Sequence, residues 1–483
     1  MPRIAQGPRN LGRRGRRSRR YSPTPHPGLS ALRGAEFFID ATLSGVSGGK
    51  LLNIGTGGSA LDAQFGSTTG TDTNDPTRLV HSGTNYLYLP GVAGNAASTP
   101  DTPAVSVTGD FEMVLRVGLD DWSPAGNAAF FGKWGAAGDI GYLFHVSATG
   151  ALVLFTSPDG TAVVSGTSSV PAPFVDGTNY WIRCTFTATA GGTHQVSYYY
   201  AADQATEPTS WTQIGAAVNF GAAGAIFNST TPLNIGAFNG SSTYCAAGRF
   251  YRAILRNAIT GGTTVFDADF TTGITSGGQT TFTESSSNAA TVTINRATSG
   301  RKSVAVVRNV LLLGTDDYLE VADNALLDFA LADNFSVLFV GRTWHSGGGT
   351  NYRFFDKHGA GPGWRMYQDN ATGNVTLSLS DGALTPFSLS SAAFVGGGLR
   401  AATGVRNVTA DNLISYVNNT AVAPTTDTTT TTLSNAGPMR IGTVGGGGAA
   451  ASYLDGEIVA AAVFRRALTA AEIASIVAYY QAA

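Results

Sequence analysis

Much of this chain is written twice, and an internal repeat constrains architecture before any local motif is considered. In the first copy Asn85-Tyr86-Leu87-Tyr88-Leu89 precedes Gly109-Asp110-Phe111-Glu112-Met113-Val114-Leu115, then Phe130-Phe131-Gly132-Lys133-Trp134 and Ser157-Pro158-Asp159-Gly160. The order returns as Asp317-Tyr318-Leu319-Glu320-Val321, Asp333-Asn334-Phe335-Ser336-Val337-Leu338-Phe339, Phe354-Phe355-Asp356-Lys357-His358 and Leu379-Ser380-Asp381-Gly382. Asn234-Ile235-Gly236 matches Arg440-Ile441-Gly442, and the run 248–260 matches 456–469 with a one-residue slip. The sequence therefore divides into a leading segment 1–34, a first unit 35–300 and a second unit 301–483. The division is softest near its middle. Phe38-Ile39-Asp40-Ala41-Thr42-Leu43 resembles Val265-Phe266-Asp267-Ala268-Asp269-Phe270, so 264–300 fits the end of one copy, the start of the next, or a bridge between them.

The repeated segments read as strands. Phe111, Met113, Leu115 and Val117 alternate with Glu112 and Arg116, and Tyr180, Ile182, Cys184 and Phe186 alternate with Trp181, Arg183 and Thr185, the period of a strand with one buried face. Only 13% of residues are charged, where a soluble domain carries roughly 25%, and glycine-rich turns separate the runs. The expectation is an all-β chain of two tandem antiparallel β-sandwich, jelly-roll domains preceded by a disordered or extended basic arm. One helix is expected, at the end, where Thr469-Ala470-Ala471-Glu472 forms a capping box and Ile473, Ile476, Val477 and Tyr480 share a face. Gly261-Gly262 stands at the matching point of the first copy and predicts a turn there. No apolar stretch reaches the roughly 18–20 residues of a membrane span, and the start lacks the apolar core of a signal peptide.

Charge is distributed unevenly. Residues 1–33 hold nine arginines and no acid, which leaves 21 basic against 32 acidic residues in the rest, a net of −11. Arg13, Arg14, Arg16, Arg17, Arg19 and Arg20 form the anion-binding core of this arm, and the proline-spaced run that follows favours an extended chain. Such an arm fits nucleic acid, an anionic membrane surface, or an acidic groove on another protein. The absence of aromatics among the arginines leaves plain electrostatics as its mode of contact.

The ending Asp455-Gly456-Glu457-Ile458 through Val463-Phe464-Arg465-Arg466-Ala467-Leu468-Thr469-Ala470-Ala471-Glu472-Ile473 to Tyr479-Tyr480 resembles the concanavalin A-like, laminin G-type jelly roll, and the likeness extends over both copies. That resemblance implies sugar-binding or protein-binding modules, with glycosidases and lyases on the same general sandwich. Tandem modules, Gly/Ala/Thr-rich loops and an arginine-rich start also resemble structural proteins of tailed bacteriophages. The function implied is a non-enzymatic virion structural or decoration protein on the particle surface, present in many copies or as a homo-oligomer. The arm would anchor it to other capsid or tail proteins, or contact packaged nucleic acid, while the jelly rolls project outward and bind glycans. A tail-fibre or receptor-binding lectin is the alternative, and a polysaccharide-degrading enzyme a further one.

Catalytic residues are expected to be none. The seven glutamates, at 36, 112, 207, 284, 320, 457 and 472, form no Glu-x-Asp-x-x-Glu strand, and Asp317 with Glu320 reads as a surface pair on opposite faces. The six histidines lack metal-ligand spacing, no nucleophile elbow is expected, and Gly445-Gly446-Gly447-Gly448 reads as a turn. His145 reads as a packed sheet residue. No cofactor is expected other than a calcium ion, for which the resemblance makes Asp159 and Asp381 the weak candidates; both precede glycine, which is also a hairpin signal. Trp134, Tyr142 and Trp364 are the candidates for stacking on a sugar, against edge-of-core packing. Whether Cys184 and Cys245 meet is left open by the sequence.

Overall fold

The computed structural model describes residues 27–32, 34–238, 244–259, 261–298, 300–314, 316–344, 351–358, 361–395, 398–445 and 452–482. The arm arginines at 13, 14, 16, 17, 19 and 20 lie outside them, as do Gly446, Gly447 and Gly448. The chain is all-β and folds into two antiparallel sandwiches, each of two sheets.

In the first sandwich one sheet runs through strands Thr193–Ala202, Tyr180–Ala190, Phe111–Leu119, Ala247–Arg256, Tyr86–Pro90 and Val304–Val306. It faces a second sheet running through Leu152–Thr156, Ile140–Val146, Ala128–Trp134, Leu233–Ile235, Ala96–Thr99 and Thr291–Asn295. Phe111, Met113, Leu115 and Val117 meet Phe130, Phe144 and Leu154 between these sheets, the face that the alternation assigns to the core.

The second sandwich repeats the order. Asn412–Val417, Arg400–Asn407, Phe335–Thr343, Gly456–Phe464, Val310–Leu313 and Thr77–Leu79 form one sheet. Asn374–Ser380, Gly363–Gln368, Tyr352–His358, Met439–Ile441, Leu319–Val321 and Ala63–Phe65 lie in the other. Placing the two sandwiches side by side corrects one part of the repeat. Tyr86–Pro90 occupies the position of Val310–Leu313, and Ala96–Thr99 that of Leu319–Val321, so the Tyr-Leu similarity at 86 and 318 is out of register by one strand. Short apolar strands separated by a single loop carry too little pattern to fix which is which.

The segment preceding each copy completes the other sandwich. Thr264–Asp269 pairs with Ala247–Arg256, and Val304–Val306 with Tyr86–Pro90, in the first sandwich. Phe37–Asp40 pairs with Gly456–Phe464, and Thr77–Leu79 with Val310–Leu313, in the second. Residues 37–79 therefore belong structurally with 310–482, which corrects the assignment of 35–80 to the first unit, and the crossing into the second unit falls at 307–309 rather than at 300. Val304–Val306 and Thr77–Leu79 are thus outermost strands brought from segments distant in sequence to one edge of a sheet in each sandwich. The two crossings touch, since the His81 amide donates to Asn309 Oδ1 at 2.6 Å.

The sandwiches pack back to back through a third core. Tyr86, Tyr88, Tyr251 and Val304 from the first meet Val310, Leu312, Leu338 and Val340 from the second. The helix Ala470–Ala482 closes this core with Ile473, Ile476, Val477 and Tyr480, and its start carries the expected reciprocal cap: Thr469 N donates to Glu472 Oε2 at 2.9 Å, and Glu472 N to Thr469 Oγ1 at 3.3 Å. Helix Pro27–Leu32 lies against it so closely that a Cβ at Gly28 would sit 2.3 Å from the Ser475 carbonyl oxygen. In the first copy the chain turns at Gly261, φ +69°, with Thr263 N donating to Asn257 Oδ1 at 2.9 Å, and the described residues there form no helix.

Candidate functional site

The three aromatics singled out for sugar stacking go to different places. Trp364 is fully buried in the second core, its Nε1 donating to the Leu327 carbonyl at 2.9 Å, and Tyr142 is buried in the first, its hydroxyl donating to the Val105 carbonyl at 2.9 Å. Neither offers a ring face, because strand alternation points both between the sheets. Trp134 lies on the outer face of its sheet, 9% exposed, in a cluster with half-buried Phe155, Phe238 and Tyr244. His145 packs into the same cluster against Phe155, and burial pulls its pKa down to about 4, so it is a neutral packed residue.

Asp159 and Asp381 organise turns. Asp159 Oδ1 accepts from Thr161 N and Ala162 N, and Asp381 accepts from Ala383 N, Leu384 N and Thr430 N at 2.6–2.9 Å. These amides hold both carboxyls below the usual carboxylate range. Donors aimed at a carboxylate take the place a cation would need, and among the described residues no three His, Cys, Asp or Glu side chains converge. Gly160 and Gly382 follow with φ of +84° and +88°, as the turns require. Cys184 is buried and Cys245 is half-buried, and neither is in a disulfide.

All seven glutamates are engaged. Glu112 takes Arg183 and Arg256, the latter shared with Glu207; Glu320 takes Arg440, and Glu457 takes Arg342. Glu36 accepts from Arg465 N, Glu284 from Asp267 N, and Glu472 caps the last helix. Asp317 is not at the surface: its side chain is fully buried and held by Arg301 at 2.7 Å, a correction to the surface pair read from the sequence.

The residues that sequence reasoning missed lie between the sandwiches. A cavity of about 660 Å³ opens there, walled by Thr275–Thr281 of the first sandwich, the crossing at Val307 and Arg308, Arg342, Leu399 and Gln481. Alternation along Phe335–Thr343 sends Phe335, Val337 and Phe339 into the second core and Leu338, Val340 and Arg342 toward the first sandwich. Arg342 stands opposite Glu457 on the neighbouring strand, Nη1 to Oε2 at 2.5 Å, with its side chain 4% exposed and its Nε without a hydrogen-bond partner. Arg308 Nη1 donates to the Tyr480 carbonyl at 2.8 Å, and Arg296 Nη2 to the Gln279 carbonyl at 2.9 Å. Burial first, and then the Arg342 charge, pull the Arg308 pKa down, and the same two effects lower Arg296 against the opposing pull of Glu457. The available signal was a single arginine ending an apolar strand, and its partners are scattered from 296 to 457.

A family described as the concanavalin A-like lectin/glucanases superfamily, of laminin G type, matches residues 313–474, about a third of the chain. Among solved structures, the mouse laminin α1 chain domains LG4-5 align at 11% identity and a TM-score of 0.27, over 82% of this chain and 90% of that one. The binding domain of Paraclostridial Mosquitocidal Protein 1 aligns at 15% identity and 0.31, over 41% of this chain and 49% of that one. A putative carbohydrate binding protein from Bacteroides ovatus aligns at 10% identity and 0.31, over 44% and 57%. The chain thus spans about half the length of the mosquitocidal binding domain. No curated protein matches the sequence.

Proposed function

We propose that this chain is a non-catalytic binding protein whose two lectin-like sandwiches contact glycans, held on a virion, such as a bacteriophage particle, by its arginine arm. The observation that carries the reading is the family match over 313–474, together with the same strand order in the first sandwich. That family joins lectins with glucanases, and the glutamates favour binding: a glycosidase needs two carboxyl groups free to face a scissile bond, and each glutamate here is committed to an arginine, an amide or a helix cap. The outer-face cluster of Trp134 with half-buried Phe155, Phe238 and Tyr244 is an aromatic surface for a sugar ring in the first sandwich. With many copies on one particle, weak single sites add to useful avidity. The arm supplies the sequence-independent electrostatic contact that fixes the protein in place.

The test is a glycan screen with the full chain, in which arm arginines 13, 14, 16, 17, 19 and 20 are changed to glutamine to remove charge-driven background. Saturable binding to a defined sugar class without release of reducing ends is the expected result; released reducing ends would overturn the non-catalytic reading. The anchoring role predicts that particles assembled with a chain lacking 1–33 lose this protein. Normal incorporation would refute it.

A further inference from the structure

We propose that the cavity between the sandwiches is an oxyanion site that takes the acidic group, sulfate or carboxylate, of a bound saccharide. The inference rests on the glycan-binding reading and goes beyond it by assigning a place and a ligand class. Two guanidinium groups, of Arg308 and Arg342, line the cavity, and Glu457, which is outside the lining, pairs with Arg342, so the wall is positively charged. Arg342 lines the cavity with its side chain 4% exposed, and its Nε, enclosed by protein, has no hydrogen-bond partner.

The backbone is shaped to the guanidinium. A Cβ on Gly277 would fall 1.9 Å from Arg342 Nη1 and 2.4 Å from Cζ, so the loop lies directly against this guanidinium. The Ser276 hydroxyl and the Gln481 amide line the same space, groups that suit the hydroxyls of a sugar carrying the charge, while the Thr275 hydroxyl donates to Gln279 Oε1 and the Gln279 amide bonds the Gly273 and Thr281 carbonyls, holding the loop in shape. Neither sandwich alone forms the site: the first contributes 275–281 and the second Arg342, with the crossing at Arg308 between them. A monosaccharide unit fits within about 660 Å³.

The test titrates lactose, sialyllactose and sulfated lactose into the full chain carrying glutamine at arm positions 13, 14, 16, 17, 19 and 20. The two charged sugars separate carboxylate from sulfate, and lactose reports charge-independent binding. At least one charged sugar should bind tighter than lactose, and Arg308→Gln should weaken it about 10- to 100-fold, the range for loss of a charge-assisted hydrogen bond. Glu457→Gln, which keeps the shape and removes the compensating charge, should tighten it. Equal affinity for lactose and both charged sugars, or charged-sugar affinity untouched by Arg308→Gln in a folded protein, would overturn the oxyanion site while leaving glycan binding intact. If none of the three binds, while the broad screen finds a neutral sugar that does, the oxyanion site again fails alone. Silence in both would remove both readings.

Discussion

Replacing Ile39 with alanine should destabilise the sandwich farthest from it in sequence. Ile39 is 1% exposed, sits opposite Ala461 in the register with Gly456–Phe464, and packs in the core that holds Val337, Phe339 and Val463. Truncating a buried isoleucine costs about 2–5 kcal/mol, a large share of the roughly 5–15 kcal/mol that separates a domain from its unfolded state. At about 1.4 kcal/mol per tenfold, amides that exchange by global opening should lose some 30-fold to several-thousand-fold of their protection. Hydrogen exchange read by mass spectrometry should place that loss in 335–343 and 456–464, with 111–119 and 128–134 little changed. The reciprocal change, Phe266→Ala, should do the converse: Phe266 is fully buried in the first core and pairs opposite Leu255. If Ile39→Ala loosened the first sandwich and spared the second, the reciprocal completion of the two sandwiches would be wrong.

Other consequences are more local. Trp364→Phe should leave sugar affinity unchanged and lower the melting temperature, because the ring fills core and its Nε1 bonds the Leu327 carbonyl; a change in affinity without a change in stability would reinstate Trp364 as a contact. Thr469→Ala removes half of the reciprocal cap and should cost about 1 kcal/mol, read by denaturant titration and by fraying of 470–482 in exchange. His145 has a folded pKa lowered from 6.5 to about 4, so the fold favours its neutral form. Its contribution is full above pH 6.5 and is lost as pH falls to 4, on the order of 3 kcal/mol. His145→Phe should flatten the decline in urea midpoint across that window, and an unchanged slope would exclude His145 as its source.

The repeat and its alternation carried most of the fold. Phe111, Met113, Leu115 and Val117 face the core as their period requires, and the cap at Thr469 and the turn at Gly261 form where the local residues place them. Local pattern could not show which sandwich a flanking segment joins. Phe38-Ile39-Asp40-Ala41 and Val265-Phe266-Asp267-Ala268 are alike because they do the same task, yet the second pairs with the strand just before it, Phe266 opposite Leu255, while the first pairs with a strand some 420 residues away, Phe38 opposite Ala462, which leaves no trace in a window of ten. The same limit hid the site. Trp364 and Tyr142 have the composition of sugar contacts, but strand parity buries both, while Arg342 gains its setting only when Glu457, Arg308 and Gly277 arrive from three other segments.

The most direct measurement is calorimetric titration of the full-length, arm-neutralised chain with the best oligosaccharide from the screen, followed by mass spectrometry of the recovered sugar. Saturable binding with the oligosaccharide returned intact is the predicted result. Heat from turnover, with shortened sugar recovered, would contradict a non-catalytic glycan-binding protein.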